Sequence, residues 1–371
     1  MLPIMPNRFR LVVRIVKTDK GFKRDSAAWK QLEILRQLFR ECEKIVVATD
    51  AGREGELIFR YIYEYLKCQK PFERLWISSL TDKAIREGFD NLKPGSQFDT
   101  LFHSAKARRE ADWLIGINAS QALTFAAERG NYSLGRVQTP TLAMICRRYL
   151  ENRNFTPEPY HRIRLSASKN GISIAAVHSE KFRDRVQAEN VRDEALRAAC
   201  VTVEEIIEDT TAKQPPLLYD LTSLQRDANT RLGLTAAKTL EIAQSLYEKQ
   251  LISYPRTGCR YIGEDLFEQI PRIFENLRDH PYLKYHLRNF SDRSLNRYCV
   301  DETKLTDHHA LVLTENIPEI LSSEEQQIYD MIAIRMLETF SEECIEKITS
   351  VTLACGTVLF KTEARTTLRE G

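Results

Sequence analysis

The sequence predicts a multidomain α/β + α + β protein, and three patterns predict it. A short β-branched run at Ile45–Val47 leads, through a glycine turn, into a helical pattern from Leu57 to Leu66. Helical spacing then dominates residues 81–150. Strand-like texture follows from 155 to 210, helix returns after Pro215 and Pro216, and β texture comes back at 348–360. A chain of 371 residues is too long for one ordinary core, so about two to four domains are expected.

Taken in order, Phe9–Val16 alternates loosely and is expected as a strand over residues 9–17. Residues 27–41 carry helical spacing through Trp29, Leu32, Leu35, Leu38 and Phe39. A buried strand is expected at 45–50, a helix at 56–67 and a further strand at Phe72–Ser79. That alternation argues for a small parallel α/β unit. Ala105 to Arg129 reads as one long helix with Ala107, Ala111, Leu114, Ile115 and Ala119 on its apolar face, ended by Gly130 and Asn131. Pro157 and Pro159 open a β-rich module with strands at 161–165, 172–177 and 201–203. Residues 222–250 and 323–340 return to helix. Val351–Leu353 and Val358–Phe360 return to strand. No internal repeat, low-complexity tract or coiled coil interrupts this order.

Composition narrows the class. Hydrophobic residues make up 43% and charged residues 29%, as in soluble globular proteins. No apolar run reaches membrane-spanning length, so no membrane partner is expected. Met1–Pro6 has neither the basic start nor the apolar stretch of a signal peptide. Eight cysteines contain no Cys-x-x-Cys pair, which argues against a zinc ribbon and for reduced thiols in a cytoplasmic protein. A net charge of +2 neither demands nor excludes nucleic acid. Arginine is nonetheless clustered at Arg108–Arg109, Arg129–Arg136, Arg147–Arg153 and Arg256–Arg260. Each cluster taken alone is also compatible with a solvated face.

The densest chemistry lies at Asp50-Ala51-Gly52-Arg53-Glu54-Gly55-Glu56, where three carboxylates crowd one strand-to-helix corner. Like charges placed together are costly unless a cation neutralises them. A hard dication such as Mg²⁺, held through one or two carboxylates and water, suits such a corner. The alternative is a solvated turn whose acids favour a helix N-terminus.

A second candidate site follows a helix that starts at Thr235 as N-cap. Leu240, Ala243, Leu246, Tyr247 and Leu251 give that helix an apolar stripe, while Gln244 and Glu248 share one face. Then comes Ser253-Tyr254-Pro255-Arg256-Thr257. Pro255 pushes Tyr254 out of helical geometry, so the phenol is displayed on a loop. A phenol with a pKa of about 10 is a weak nucleophile until a neighbour lowers the cost of its anion. Arg256 supplies a guanidinium that also suits phosphate oxygens, and Thr257 supplies a hydroxyl donor. The alternative is a loop tyrosine that packs its ring beside a solvated arginine.

Together these segments resemble type IA DNA topoisomerases, and within that family the topoisomerase III branch. The acidic corner resembles the toprim metal motif, and Ser253–Thr257 resembles the active-site tyrosine loop. Ser133-Leu134-Gly135-Arg136-Val137-Gln138 resembles the family's DNA-contacting segment. Gln214-Pro215-Pro216 with Leu221–Gln225 resembles the start of the tyrosine domain, and Asp307-His308-His309-Ala310 the histidine motif. Jointly these five ordered motifs are highly specific.

The resemblance implies that Tyr254 attacks a backbone phosphate of single-stranded DNA, giving a 5′-phosphotyrosine and a free 3′-hydroxyl. Arg256 would steady that phosphate, and His308 would hydrogen-bond near it or to a supporting acid. Gln244 and Glu248 would line the active site. Asp50 and Glu54 would hold Mg²⁺, and Ser133 to Gln138 would contact the strand. Energy stored in the phosphotyrosine makes ATP unnecessary, and no phosphate-binding Gly-x-x-x-x-Gly-Lys-Ser/Thr loop is present. A helix N-terminus near Gly135 would offer N–H groups to phosphate, and Tyr132 and Tyr261 are candidates for base stacking.

The implied architecture is a type IA topoisomerase fold with a partial toprim domain at 1–92, a helical DNA-binding domain at 93–150 and the first part of a β-rich arch at 151–213. A helical domain with the tyrosine follows at 214–341, and the arch returns at 342–371. Implied partners are single-stranded or negatively supercoiled DNA, with a helicase as candidate protein partner, in the cytoplasm at the nucleoid. Two departures stand out. Gly52 replaces the second aspartate of the usual Asp-x-Asp-x-Glu pattern, leaving Glu56 as a candidate substitute. No early strand carries the family's first glutamate and lysine, so the chain is expected to be a fragment that binds DNA and cleaves it weakly or not at all. The rival readings are a noncatalytic single-stranded-DNA-binding module and a toprim metal nuclease.

Overall fold

In the computed structural model, which describes residues 3–7, 9–19, 21–198, 200–278, 280, 284–287 and 294–371, two units have separate interiors. The first comprises Met1–Leu150, Leu218–Leu287 and Cys299–Ala333; the second comprises Glu151–Leu217, Arg288–Tyr298 and Ile334–Gly371. Along the chain, Ile15–Thr18 (β1) and Gly21–Arg24 (β2) precede Ser26–Glu41 (α1), Ile45–Val47 (β3) and Arg53–Tyr65 (α2). Phe72–Arg74 (β4), Asp82–Asp90 (α3), Lys93–Pro94 (β5), Asp99–Ala126 (α4) and Gln138–Arg153 (α5) follow. Next come Arg164–Lys169 (β6), Ile172–His178 (β7), Arg185–Arg197 (α6) and Thr202–Lys213 (β8). Leu221–Leu232 (α7), Ala236–Glu248 (α8), Glu264–Phe267 (α9), Ile270–Asn276 (α10), Lys284–Leu287 (α11) and Ser323–Phe340 (α12) lead to the hairpin Cys344–Cys355 (β9) and Val358–Arg369 (β10). No helix among the described residues is long and apolar enough to cross a membrane.

In the first unit, β3 pairs with β4 in parallel, and β4 pairs with β5 antiparallel. Helix α2 crosses between the parallel strands, as the β–α–β order requires. It packs on α4, where Leu57, Phe102 and Ala105 form a buried cluster flanked by Tyr61. Several sequence expectations change here. Only Ile15–Thr18 of residues 9–17 is strand, and it pairs with β2 in a separate hairpin. Residues further upstream engage side chains instead, with Phe9 edge-on to Trp113 at 5.4 Å. The 45–50 strand ends at Val47, and its middle residue Val46 is 36% exposed, so it is not buried throughout. Ala107 and Ala111 are exposed, because the buried face of α4 runs through Phe102 and Ala105.

The expected 222–250 helix is two helices. Gly233 closes α7 in the left-handed region at φ 70°, where glycine carries no Cβ penalty. Asp220 and Ser223 form a capping box at the start of α7, and Thr235 caps α8 by accepting from the Lys238 N–H. Leu224, Leu246, Ile252, Ile262, Ile270, Leu311 and Ile328 are all buried in this part of the unit.

One carboxylate ties the end of α8 to the start of α12. Glu325 accepts from Lys249 Nζ and Ser245 Oγ at 2.7 Å each, and from the Ser322 N–H at 2.9 Å. The Lys249 ammonium, then the Ser322 and Ser245 donors, pull its pKa down to about 2. A carboxyl whose folded pKa is depressed contributes stability above its unfolded value, and that contribution fades as pH falls toward the folded one. Glu325→Gln should therefore lower the urea midpoint at pH 6, with the difference from the parent shrinking between pH 4.5 and about 2. An unchanged midpoint at pH 6 would contradict this assignment.

In the second unit, five antiparallel strands lie in the order β6-β7-β10-β9-β8. Ala176, Leu353, Cys355, Val358 and Phe360 form its buried cluster, with Val191 and Ala195 of α6 packed against it. Helix α6 was not among the sequence expectations. Its signals are an Asp184 N-cap accepting from the Val186 N–H and the inward spacing of Ala188, Val191 and Ala195.

Candidate active site

The acidic corner is built by β3, its exit and the first turn of α2. The exit is held from below by Arg74 of β4, whose guanidinium donates to the carbonyls of Asp50 at 2.7 Å, Thr49 at 2.8 Å and Val47 at 3.2 Å. Thr49 Oγ1 donates to the Gly55 carbonyl at 2.8 Å. Helix α2 starts so close to the strand end that a Cβ on Gly55 would lie 2.8 Å from the Asp50 backbone nitrogen and 2.9 Å from its carbonyl carbon. Glycine is required there by close approach. The Asp50 backbone is thereby pinned while its side chain stays 55% exposed.

The three carboxylates of this corner go to three different places. Glu56 is fully buried, paired with Arg60 Nε at 2.7 Å and with Arg74 Nε at 2.9 Å. It is not the substitute metal ligand that the sequence suggested, because two guanidinium groups already neutralise it in the interior. Glu54 is 67% exposed, with Arg108 Nη1 at 3.8 Å. Asp50 faces the histidine motif, its Oδ2 lying 3.6 Å from His308 Nε2. That spacing is ion-pair range and too long for a hydrogen bond. Arginine, which the sequence reading did not place here, supplies much of the neutralising charge. Among the described residues no three acidic, histidine or cysteine side chains converge as a metal cage.

The tyrosine loop sits against this corner. Ile252 is buried and bridges to Leu313, and Ser253 clamps the same chain segment. The Ser253 N–H donates to the Val312 carbonyl at 2.9 Å, and its hydroxyl donates to the Ala310 carbonyl at 3.0 Å. This fixes Tyr254 beside the histidine motif. Its half-buried ring lies 4.6 Å from the His308 imidazole and 5.3 Å from the ring of Tyr247 on α8. Among the described residues the Tyr254 hydroxyl has no protein hydrogen-bond partner. Pro255 is buried behind it. Asp50, His308, Tyr254 and Tyr247 thus run in sequence from the acidic corner to the last turn of α8.

The remaining sequence-predicted residues divide. Arg256 is exposed and makes no ion pair among the described residues. Thr257 is 4% exposed, and its hydroxyl turns inward, accepting from the Cys259 N–H at 3.0 Å. It holds the loop and is not a free donor. Gln244 donates to Glu248 at 3.1 Å across one turn of α8, as their four-residue spacing predicts. Of the two adjacent histidines, His309 is the structural one. Burial pushes its imidazole below the usual range, and Nδ1 lies 2.7 Å from the Ala310 carbonyl.

Ser133–Gln138 forms the bend from α4 to α5. Leu134 N–H donates to Ser120 Oγ at 2.8 Å, Gly135 N–H to Thr139 Oγ1 at 3.0 Å, and Gln138 Nε2 to Ser133 Oγ at 2.9 Å. Arg136 forks onto Asp112, with Nε and Nη2 at 2.5 and 3.2 Å from its two oxygens. That hydrogen bond holds the Asp112 carboxyl below its usual range. Arg136, Val137 and Gln138 are exposed. Tyr132 is 47% exposed. Tyr261 instead carries Lys304 Nζ over its ring at 4.6 Å. Asp307, which the sequence offers only as the first residue of the histidine motif, has its carboxylate directly over Gly52.

Two family models and several known proteins match the chain. The DNA topoisomerase family model matches residues 96–371, and the Toprim domain model matches residues 15–80. The chain is 40% identical to DNA topoisomerase 3 of Bacillus licheniformis over 379 residues, covering 100% of this chain and 50% of that protein. It is likewise 40% identical to DNA topoisomerase 3 of Bacillus subtilis over 380 residues, with the same coverage. Full-length topoisomerase I from Thermotoga maritima superposes with a TM-score of 0.67 at 25% identity, over 95% of this chain and 58% of that one. The chain spans about half the length of the curated relatives it matches.

Proposed function

Because this chain belongs to the type IA DNA topoisomerase family, we propose that it carries the cleavage centre of a topoisomerase III-like enzyme that breaks and rejoins one DNA strand at a time. The observation that carries this reading is Tyr254 packed on His308, with His308 facing Asp50 at 3.6 Å. A displayed phenol, an imidazole and a carboxylate from distant parts of the chain meet at one place.

In this mechanism the Tyr254 oxygen attacks a backbone phosphorus of single-stranded DNA. The P–O bond to the 3′-oxygen of the neighbouring nucleotide breaks, leaving a 5′-phosphotyrosine and a 3′-hydroxyl. The phenolic proton leaves toward the His308–Asp50 pair, and the 3′-oxygen takes up a proton. Religation runs the same exchange in reverse and restores the phenol, so no ATP is consumed. Arg256, exposed and without an ion pair among the described residues, holds the phosphate oxygens. Gln244 and Glu248 line the approach from α8, and Ser133 to Gln138 take the strand at the bend into α5.

Asp50 and Glu54 present the exposed oxygen donors that suit Mg²⁺. Mg²⁺ keeps most of its waters and needs only one or two protein carboxylates beside DNA phosphate, and both of these side chains are more than half exposed. When bound, Mg²⁺ supplies charge neutralisation at the phosphate and aligns the cleaved ends. Single-stranded or negatively supercoiled DNA is the proposed substrate, a helicase the candidate partner, and the cytoplasmic nucleoid the proposed location.

The test is covalent capture. The chain is mixed with 3′-end-labelled single-stranded oligonucleotide and Mg²⁺, then denatured. A label on Tyr254 through a 5′-phosphate, even as a trace resolved by peptide mapping, is the expected outcome. Binding without any adduct would favour a noncatalytic module. Cleavage without an adduct would favour a metal nuclease. A second measurement addresses the strand contacts. Arg136→Ala should weaken single-stranded DNA binding and lower the salt dependence by about one phosphate contact, visible as a smaller slope of log affinity against log salt.

A further inference from the structure

At position 52 the sequence lacks a carboxylate, and the fold places one there from a distant segment. A Cβ built on Gly52 would lie 2.6 Å from Oδ1 of Asp307, with the other two atoms of the carboxylate nearer still. Real Cβ atoms do not approach that closely, so a side chain at position 52 would push the Asp307 carboxylate aside. Backbone conformation does not explain the glycine. At φ −160° and ψ 179°, Gly52 is extended in a way open to any residue. What the missing side chain leaves is space, and the Asp307 carboxylate lies in that space. Asp307 is adjacent to His308, whose imidazole faces Asp50. Asp307 is itself exposed, so its charge is open to solvent and to ligand.

We infer that Asp307 belongs to the acidic corner as a cation-facing carboxylate, delivered by the histidine loop into the place that residue 52 leaves vacant. Gly52 and Asp307 are then reciprocal partners. The glycine leaves room for the acid, and the acid sets negative charge over the turn that follows Asp50 without position 52 having to carry it. The affinity of the corner for a divalent cation consequently depends on the histidine loop being docked. The inference rests on the proposal above that a divalent cation binds this corner.

Manganese serves as the probe, measured by calorimetric titration and by the electron paramagnetic resonance signal of free Mn²⁺, without DNA. Asp307→Asn keeps the shape that packs on Gly52 and removes the charge. It should weaken Mn²⁺ binding at least about tenfold, comparable to Asp50→Asn. Gly52→Ala, which displaces the carboxylate, should weaken it similarly. The exchange Gly52→Asp with Asp307→Gly should restore affinity to within about threefold of the parent, a rescue that a merely structural contact would not give. Circular dichroism checks that each variant is folded. Loss of binding in Asp50→Asn but not in Asp307→Asn would overturn the inference and leave the cation proposal standing. Absence of saturable Mn²⁺ binding in the parent chain would overturn the cation proposal and the inference with it.

Discussion

Replacing Tyr254 with phenylalanine should abolish covalent DNA capture, with a loss on the order of 10³-fold or more, as expected when a nucleophile that acts as part of a unit is removed. The substitution deletes one oxygen. Both ring contacts, to His308 at 4.6 Å and to Tyr247 at 5.3 Å, are available to phenylalanine. The hydroxyl has no protein hydrogen bond to lose among the described residues, so folding should be nearly unaffected, by less than about 0.5 kcal/mol. The comparison is made on denaturing gels with labelled oligonucleotide, alongside a native binding titration. Persistent binding with vanished adduct identifies the phenol as the attacking group. Cleavage that survives the substitution would assign the chemistry to metal and water instead.

The second large effect concerns stability. Glu56→Ala should destabilise the first unit by about 3–5 kcal/mol, the cost of leaving a buried charge without its partner. Glu56 is fully buried between Arg60 and Arg74, and Arg74 is itself 0% exposed. Burial already pulls the Arg74 guanidinium below its usual range, with Glu56 the main opposing influence. The stacked neighbours Trp76 and Phe98, whose ring centres lie 5.1 and 5.9 Å from that guanidinium, offer no compensating anion. Glu54→Ala, two positions earlier, should change stability by less than about 0.5 kcal/mol, because its pairing with Arg108 is solvent-exposed. Urea unfolding of the two variants in parallel gives the answer. Equal losses would contradict the buried-pair account.

These two glutamates also mark where sequence reasoning stopped. Both stand in the first turn of α2, and both are acids in a stretch that invites a metal. Their separation follows from helix geometry. Two residues apart on a helix means opposite faces, one toward α4 and β4, the other toward solvent. Which face is inside was set by Arg74, which arrives from β4 eighteen positions beyond Glu56 in the chain. Thr257 shows the same limit, since nothing local said that its hydroxyl would turn inward to the Cys259 N–H. Residues 9–17 show it for strands. Alternation was present, yet a ladder needs a partner, and only Ile15–Thr18 has one. The break at Gly233 and the start of α6 at Asp184 are different misses, since each had a local signal, a left-handed cap and an N-cap, that the expectation of one 222–250 helix and of no helix at 185–197 did not use.

What the amino-acid sequence determined by itself is local and ordered: the Thr235 cap and apolar stripe of α8, the helical stretch of α12, the display of Tyr254 by Pro255, the four-residue pairing of Gln244 with Glu248, and the succession of motifs that marks the family. These depend on residues within a turn or two of each other, where backbone geometry alone sets who meets whom. Only the tertiary structure decided that Tyr254 lies on His308, that His308 faces Asp50, and that Asp307 occupies the space above Gly52. Those meetings join segments from 54 to 258 positions apart, and they arise because burying the apolar faces of the first unit brings the tyrosine and histidine loops against one strand end.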